Sequence, residues 1–330
     1  MPSSPLDQRL SNPHNNGKIM DAWESFLSGQ PPAPNALRRL IDDSWRRCQL
    51  DQVDPARQHA LPPVNEDTLH SLLQQHRELL TAGKQAMAMA RDLLAQTETI
   101  MMLTDPNGMI LSVEGDRRAT GAAEDIHLTA GSCWSEMLCG TNAIGTALSL
   151  GQPVQIHAAE HFCVGIKEWT CSATVIRDPY DGKILGVIDV SGLGKTFNPH
   201  SLALAVTTAS RIESQLAKLE MEFRYHLLER GMSKMSSATD GVIICDRRGY
   251  PIKANEQAAS TLQARGIELS LKNTVPIPTL GVGSFAPAQR AAAPDWLKTD
   301  WLEPVISGGE RIGTLLLIPG VPQIGMSTRA

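Results

Sequence analysis

The sequence predicts an α+β fold with two antiparallel sheets, one in each of two domains. Its 330 residues correspond to about two domains at roughly 150 residues per domain. Short apolar runs at 100–104 and 109–113 flank a turn that begins with Asp105 and ends with Gly108, as in an antiparallel hairpin. Helical periodicity precedes and follows these strands, which is typical of helices packed beside an antiparallel sheet.

The composition is that of a globular protein, with 42% apolar and 20% charged residues. The net charge of −5 provides no positive field across the chain to hold nucleic acid. No apolar run approaches the ~18 residues that span a bilayer, and the N-terminus lacks the basic start and apolar core of a secretory signal. Six cysteines are too few for a disulfide framework in a chain of this size. We therefore expect a cytoplasmic protein with reduced thiols and no membrane association.

Residues 1–64 are predicted to form an N-terminal arm with short helices. Proline, asparagine, serine and glutamine are frequent in its first half, which predicts irregular structure with one short helix around 21–27. A second helix is predicted at 35–48, with Asn35 as its N-cap. Apolar residues then recur at steps of three and four, which predicts one long helix over 65–95.

The first domain of this prediction comprises residues 65–200. A glycine-punctuated helical region is expected at 132–150. Turn-forming residues at 178–182 join two apolar runs and predict a second hairpin. Beyond the first hairpin, the strands are predicted at 154–157, 169–177 and 184–190.

A long connector helix is predicted over 201–234, because Pro199 stands where a helix would begin. Its apolar residues alternate steps of three and four for about three heptads, which is the pattern of a coiled-coil seam. We expect a homodimer through residues 202–223; the alternative is a helix packed on its own sheet. The seam positions are Leu202, Ala205, Ala209, Ile212, Leu216, Leu219 and Phe223.

A second, smaller domain is predicted at 235–320, followed by a tail at 321–330. Residues 272–294 contain many Pro, Gly and Ala residues and few large apolar ones, which predicts a mobile loop in a domain without haem or flavin. A closing strand is expected at 311–318. The other elements are strands at 241–246 and 250–255, and a helix at 256–264.

Motifs of the first domain follow one another in a fixed order. Residues 139–148 read Cys-Gly-Thr-Asn-Ala-Ile-Gly-Thr-Ala-Leu, and residues 169–179 read Trp-Thr-Cys-Ser-Ala-Thr-Val-Ile-Arg-Asp-Pro. Residues 181–192 follow as Asp-Gly-Lys-Ile-Leu-Gly-Val-Ile-Asp-Val-Ser-Gly. This series closely resembles the GAF domain of the acetoin-catabolism regulator family, which are sigma-54-dependent transcriptional activators.

Two further segments resemble the same family in the same order. Residues 41–48, Ile-Asp-Asp-Ser-Trp-Arg-Arg-Cys, resemble the short helical motif that precedes the GAF domain. Residues 246–258, Asp-Arg-Arg-Gly-Tyr-Pro-Ile-Lys-Ala-Asn-Glu-Gln-Ala, resemble the opening of a PAS domain. The resemblance covers roughly residues 37–260. It implies a GAF domain with helices flanking an antiparallel sheet, a long helical connector and a smaller PAS-like α+β domain.

The resemblance also implies a pocket between the GAF sheet and its helices, where a small molecule binds among apolar walls and a few polar groups. Aromatic side chains would form the walls, while Asn142 and His161 can exchange hydrogen bonds with a hydroxyl or carbonyl. The alternative is that Trp134 and Trp169 are core residues and that Asn142 caps a helix. The expected ligand-binding residues are Trp134, Asn142, His161, Phe162, Trp169 and Cys171.

Family members continue with an AAA+ ATPase module and a helix-turn-helix module, and neither pattern occurs in this chain. The resemblance therefore implies contacts with DNA and sigma-54 RNA polymerase only through modules absent from this chain. The expected function is that of a sensory region that binds an acetoin-like alcohol, ketone or diol. The alternative is a GAF–PAS module that is regulated by a protein partner and has no small-molecule ligand.

Patterns of enzymes and metal sites are incomplete. Residues 192–196, Gly-Leu-Gly-Lys-Thr, match the end of a phosphate-binding loop, but Asp189 stands where that loop needs its first glycine. The spacing of His157, His161 and Cys163 fits no zinc pattern. No Gly-x-Ser-x-Gly nucleophile elbow is present. We therefore expect no catalytic residues, no metal and no cofactor.

Overall fold

The computed structural model describes residues 9–31, 33–237, 239–270, 275–282 and 293–320. The chain divides into two compact units, with the boundary between Ala217 and Lys218. The predicted tail lies outside the described residues, as do 271–274 and 283–292 of the region predicted to be a mobile loop.

The first unit contains a five-stranded sheet in which all neighbouring strands are antiparallel, in the order β2-β1-β5-β4-β3. The Asp105 carboxylate fixes the first hairpin by accepting hydrogen bonds from the backbone N–H groups of Asn107 and Met109, both at 2.8 Å. The five predicted strand positions are confirmed. The strands are β1 Thr99–Thr104, β2 Ile110–Gly115, β3 Val154–His157, β4 Trp169–Arg177 and β5 Ile184–Leu193.

Helices cover both sides of this sheet. Helix α4 contacts β1 and β2, whereas α7 contacts β3, β4 and β5. The helices of the first unit are α1 Asn16–Leu27, α2 Arg39–Leu50, α3 Glu66–Gln75, α4 Arg77–Leu93, α5 Arg117–Asp125, α6 Glu136–Cys139 and α7 Ala143–Leu150.

The structure corrects two predicted helix boundaries. The helix predicted over 65–95 is two helices, because His76 leaves helical geometry with φ −101° and ψ 21°. The helix predicted from residue 35 begins at Arg39, because Asn35 has a positive φ of 60°. That left-handed conformation is tolerated by asparagine, but it belongs to the preceding turn.

The predicted N-terminal arm is part of the first unit. Apolar side chains of α1 and α2 lie in the same core cluster as strand residues such as Met102 and Ala173. The sequence pattern did not predict this packing, because a short amphipathic helix does not show which surface buries its apolar face. The arm residues in the core include Ile19, Trp23, Phe26, Ile41 and Trp45.

Helix α8, His200–Gly231, begins in the first unit and ends in the second. The structure corrects the predicted dimer seam, because Leu202, Ala205, Ala209, Ile212 and Leu216 are already buried within the single chain. A Cβ placed on Gly83 of α4 would lie 3.7 Å from Ile212 Cδ1, and the backbone N–H of Arg177 in β4 donates to Glu213 Oε1 at 2.7 Å. The alternative of a helix packed on its own domain therefore holds for residues 202–216.

The second unit contains a four-stranded antiparallel sheet in the order β7-β6-β9-β8. Helix α9 packs on it through Ala258 and Leu262, and Leu227 of α8 shares a core cluster with Ile244 and Leu315. Strand β8 was not predicted. It contains Pro304, which lacks the N–H that an inner strand needs, and β8 lies at the sheet edge. The elements are β6 Gly241–Asp246, β7 Pro251–Ala254, α9 Glu256–Gln263, β8 Leu302–Ser307 and β9 Glu310–Ile318.

Within the described part of the chain, no helix is both long and apolar enough to cross a bilayer.

Candidate functional site

The sheet surface beneath α7, here called the α7 face, carries the polar groups of the candidate site. Successive side chains of a strand point to opposite sides, so the pairing register identifies which residues share this face. Met102, Asp189 and Ala173 form one row across β1, β5 and β4. The next row contains Ser191 and Cys171, with Ile100 on β1 and Ile156 on the edge strand β3.

Asp189 is a buried carboxyl group in the middle of this apolar surface. Its Oδ1 accepts a hydrogen bond from the Ser191 hydroxyl, and its Oδ2 has no hydrogen-bond partner among the described residues. Burial raises the pKa of Asp189 to about 7. The group is therefore close to half protonated at neutral pH, with one oxygen available to a further polar group.

Sequence reasoning missed Asp189 as a site residue and considered it only as the residue that replaces the first glycine of a phosphate-binding loop. The available signal was its position, since a carboxylate lies between Ile188 and Val190 in a strand that is otherwise apolar or small. A buried carboxylate without a basic partner is costly, which makes such a residue a candidate functional group.

Cys171, one of the expected ligand-binding residues, lies on the α7 face. Burial raises the pKa of its thiol well above the ordinary value, and the nearby Asp189 carboxyl adds to the increase. The side chain therefore remains a protonated thiol, which is a weak hydrogen-bond donor and not an activated nucleophile.

His161 lies in the segment between β3 and β4 and is completely buried. Its Nδ1 is 3.0 Å from the Ala158 carbonyl oxygen, which can only accept, so Nδ1 carries the proton. Burial lowers the pKa of His161 to about 3, so the ring is neutral. Nε2 is consequently an acceptor, and it has no partner among the described residues.

The N-terminal helices hold the segment that carries His161. Trp45 of α2 donates from Nε1 to the Glu160 carbonyl at 2.9 Å, and Trp23 of α1 donates to the Phe162 carbonyl at 2.9 Å. The Glu160 carboxylate accepts from Arg38 at 2.7 Å, with both side chains largely buried. These contacts fix residues 160–162 from the side of α1 and α2. Sequence reasoning did not find these contacts, because their partners lie more than a hundred residues apart in the chain.

Lys167 holds the same segment from its other end. Its ammonium group donates to the Ala159 carbonyl at 2.9 Å and to the His161 carbonyl at 2.6 Å. It also lies 4.3 Å from the centre of the Trp23 ring, within the range of a cation–π interaction. Burial lowers the pKa of Lys167 to about 7.

A second buried ion pair ties α2 to α6 and α7. The Glu136 carboxylate accepts from Arg47 at 2.7 Å and from Ser149 at 3.0 Å. Burial alone would raise the pKa of Glu136, but the hydrogen bonds from Arg47 and Ser44 outweigh it and lower the pKa. This pair is fully supplied with partners and serves packing.

The remaining predicted site residues occupy structural positions. Asn142 caps α7, with Oδ1 accepting from the Gly145 N–H at 2.9 Å and Nδ2 donating to the Gly140 carbonyl at 2.8 Å. Its amide therefore has a partner on each side, as the helix-cap alternative requires. Four other predicted residues belong to the core cluster of the first unit; they are Trp134, Phe162, Trp169 and Cys171.

Trp134 also lines a small cleft with Cys139, Cys163 and Ile166. Its Nε1 donates to the His127 carbonyl at 3.1 Å. The cleft offers about 10 Å³, close to the volume that one water molecule needs. A molecule larger than water would therefore have to displace core side chains here.

The phosphate-loop match has no open site. Lys195 forms an ion pair with Glu98 at 2.6 Å, and the Thr196 hydroxyl donates to the Leu193 carbonyl at 2.8 Å. Among the described residues, no group of three His, Cys, Asp or Glu side chains could hold a metal ion.

Comparison with known proteins identifies the family. The family model "MimR, N-terminal domain" matches residues 16–214. The acetoin dehydrogenase operon transcriptional activator AcoR of Bacillus subtilis is 30% identical over 236 residues, which cover 72% of this chain and 39% of AcoR. The propane 2-monooxygenase operon transcriptional activator MimR of Mycolicibacterium smegmatis is 30% identical over 223 residues, which cover 67% of this chain and 37% of MimR.

This chain thus spans less than half the length of these two relatives. Among solved structures, the Escherichia coli DhaR(N)–DhaL complex matches with a TM-score of 0.55 and 24% identity, over 86% of this chain and 99% of that chain. That likeness supports the α+β fold with antiparallel sheets. Because the family model covers more than half of the chain, the protein belongs to the family of the MimR N-terminal domain, and its resemblance to the acetoin-catabolism regulators is confirmed.

Proposed function

We propose that this chain is the signal-sensing region of a bacterial sigma-54-dependent transcriptional activator, with a GAF domain in the first unit and a PAS domain in the second. Its relatives are named as transcriptional activators, which supports a regulatory role and not catalysis. In this proposal the protein acts in the cytoplasm, and contacts with DNA and polymerase belong to other modules.

The proposed effector is a small molecule with hydroxyl or carbonyl groups, such as an acetoin-like alcohol, ketone or diol, and it binds on the α7 face. One observation carries this proposal. Asp189 Oδ2 and His161 Nε2 are buried and have no partner within the described part of the chain, although buried polar atoms in proteins are nearly always hydrogen-bonded. A bound effector would supply the missing hydrogen bonds. The predicted residues Trp134, Phe162, Trp169 and Cys171 would contribute packing around it.

Binding is coupled to a change in packing in this proposal. The α7 face lies within the core cluster of the first unit, so in this proposal the effector favours an arrangement in which core side chains have moved. Helix α8 forms part of this unit and continues into the second, which makes it the covalent path for the signal.

Thermal unfolding tests the proposal. Acetoin, butane-2,3-diol and related compounds at millimolar concentration should raise the melting temperature of the first unit, because a ligand that binds only the folded state stabilises it by mass action. A melting temperature that does not respond to any of them contradicts a small-molecule effector.

A flat response would instead favour the second candidate, regulation by a protein partner. The DhaR(N)–DhaL complex is a protein complex of a structurally similar chain, which is the observation behind this candidate. A pull-down with a purified candidate partner protein would then be the test in place of the ligand screen.

We also propose a homodimer, on a different face of α8 from the one the sequence pattern indicated. Met221 and Tyr225 are 66% and 65% exposed, and a step of four residues places them on one side of the helix. Light scattering should show that Met221→Glu combined with Tyr225→Glu shifts a dimer to monomer. Leu204→Glu, on an exposed position of the first unit, is the control that should leave the mass unchanged.

A further inference from the structure

We propose that Asp189 accepts a hydrogen bond from a hydroxyl group of the effector, and that the effector is a small uncharged molecule. This inference rests on the proposed function, and it names the residue that selects the effector. It also assigns a role to a residue that the sequence motifs did not mark as ligand-binding.

The position of the carboxyl group supports this role. Asp189 lies on β5, which pairs with β1 on one side and β4 on the other, so the group sits in the middle of the sheet and is completely buried. The Ser191 hydroxyl donates to Oδ1 and thereby sets the orientation of the carboxyl plane. Oδ2 is left without a partner among the described residues.

The chemistry of the surroundings favours a hydroxyl group as the donor. The Ser191 hydroxyl already donates its proton in the hydrogen bond to Oδ1. In the described part of the chain, Asp189 has no ion pair with a basic side chain. A carboxylate ligand would place a second acidic group in the same apolar space, without a cation to compensate it. A hydroxyl supplies the missing proton with no added charge.

The neighbouring side chains favour an effector of few carbon atoms. The residue opposite Asp189 on β4 is Ala173, and α7 presents Ala143 and Ala147 to the same core. Met102, opposite Asp189 on β1, is the large neighbour in this row, so an effector beside the carboxyl is limited to the few carbon atoms that the alanine side accommodates. The unpartnered His161 Nε2 is an acceptor as well, so a second hydroxyl of the effector would have a partner if it reached that ring.

Two probes of nearly equal size and shape test the proposal. Butan-2-ol can donate a hydrogen bond, whereas butan-2-one can only accept one. Isothermal titration of the full chain at pH 8.5, above the pKa of about 7 to which burial raises Asp189, should show that the alcohol binds at least tenfold more tightly than the ketone. An Asp189→Asn variant replaces an acceptor oxygen with an N–H donor, so its preference for the alcohol should fall at least tenfold.

The matched control is Thr174→Val. Thr174 follows Ala173 in β4, is 5% exposed and points to the opposite side of the sheet, so this variant should keep the wild-type preference. If Asp189→Asn does not fold, as judged by circular dichroism, Ser191→Ala replaces it. That variant keeps the carboxyl but removes the group that orients it, and the preference for the alcohol should fall at least threefold.

The possible failures are distinguishable. Equal binding of the two probes by the wild type, or an unchanged preference in the Asp189 and Ser191 variants, overturns the role of Asp189 but leaves a small-molecule sensor in place. If the wild type binds neither probe and also fails to bind acetoin, the proposed function and this inference are both wrong.

Discussion

At the scale of single residues, one buried carboxyl group gives the clearest signature in pH dependence. The pKa of Asp189 rises from its usual 3.8 to about 7 on burial, so folding retains a proton that the unfolded chain releases. The folded state therefore loses stability as pH rises from about 4 to about 7, and the slope ends above that range. Cys171, which faces the same group, stays protonated because its pKa is also raised.

An Asp189→Asn variant removes this titration. Relative to the variant, the wild type should lose about 2–3 kcal/mol of unfolding free energy between pH 5 and pH 8. Urea unfolding of both proteins at the two pH values measures the difference, and the comparison cancels the other titrating groups. If the difference in unfolding free energy between the two proteins were the same at both pH values, the pKa of Asp189 would not be raised by folding.

The polar cap of α7 is a second residue-scale feature. Asn142→Ala removes the acceptor for the Gly145 N–H and the donor to the Gly140 carbonyl, so we expect a loss of about 1–2 kcal/mol in unfolding free energy. Asn142→Ser, which keeps an uncharged acceptor at the N-cap, should restore part of it. Equal stability of the alanine variant and the wild type would contradict the cap.

At the scale of elements, the N-terminal helices are attached to the first unit by buried charges. Arg38→Met leaves the Glu160 carboxylate without its partner, which typically costs about 3–5 kcal/mol for a buried pair. Arg46→Met, which breaks the exposed pair with Asp42 on the same helix, is the matched control and should leave the unfolding midpoint unchanged. Similar effects of the two substitutions would mean that α2 is not held through Glu160.

The face of α8 between Leu202 and Leu216 gives the second element-scale prediction. Because Leu216 is buried within its own chain, Leu216→Glu should lower the unfolding free energy by about 3 kcal/mol or more, independently of protein concentration. Thermal unfolding at 1:100 dilution checks the second point. A loss of stability that disappeared at high concentration would restore the predicted dimer seam.

At the scale of the whole molecule, α8 is the element shared by both units. Effector binding should change hydrogen exchange in residues 218–231 of the wild type. An Ala217→Pro substitution interrupts the helix at the unit boundary. We expect the variant to bind the effector with unchanged affinity and to lose the exchange response in the second unit. A response that survives the proline would show that the signal takes another path.

The sequence by itself determined the local elements and the family. Apolar runs bounded by Asp and Gly turns specify strands wherever they occur, so β1 to β5 were predictable, and the order of motifs identified the relatives. The same reasoning placed Cys171 on the sheet and allowed that Asn142 is a helix cap. These features depend on residues close together in the chain.

Only the tertiary structure decided which surfaces meet. An amphipathic helix shows that it has an apolar face but not what covers it. The sequence therefore assigned the arm helices to no neighbour and predicted a dimer seam at the Leu202–Leu216 face of α8, which is buried within the single chain. Pro304 concealed β8, because a proline is excluded from inner strands but not from an edge. Asp189 emerged as a candidate site only when the strand register placed it between Met102 and Ala173, where the burial of a carboxyl group depends on residues far away in the chain.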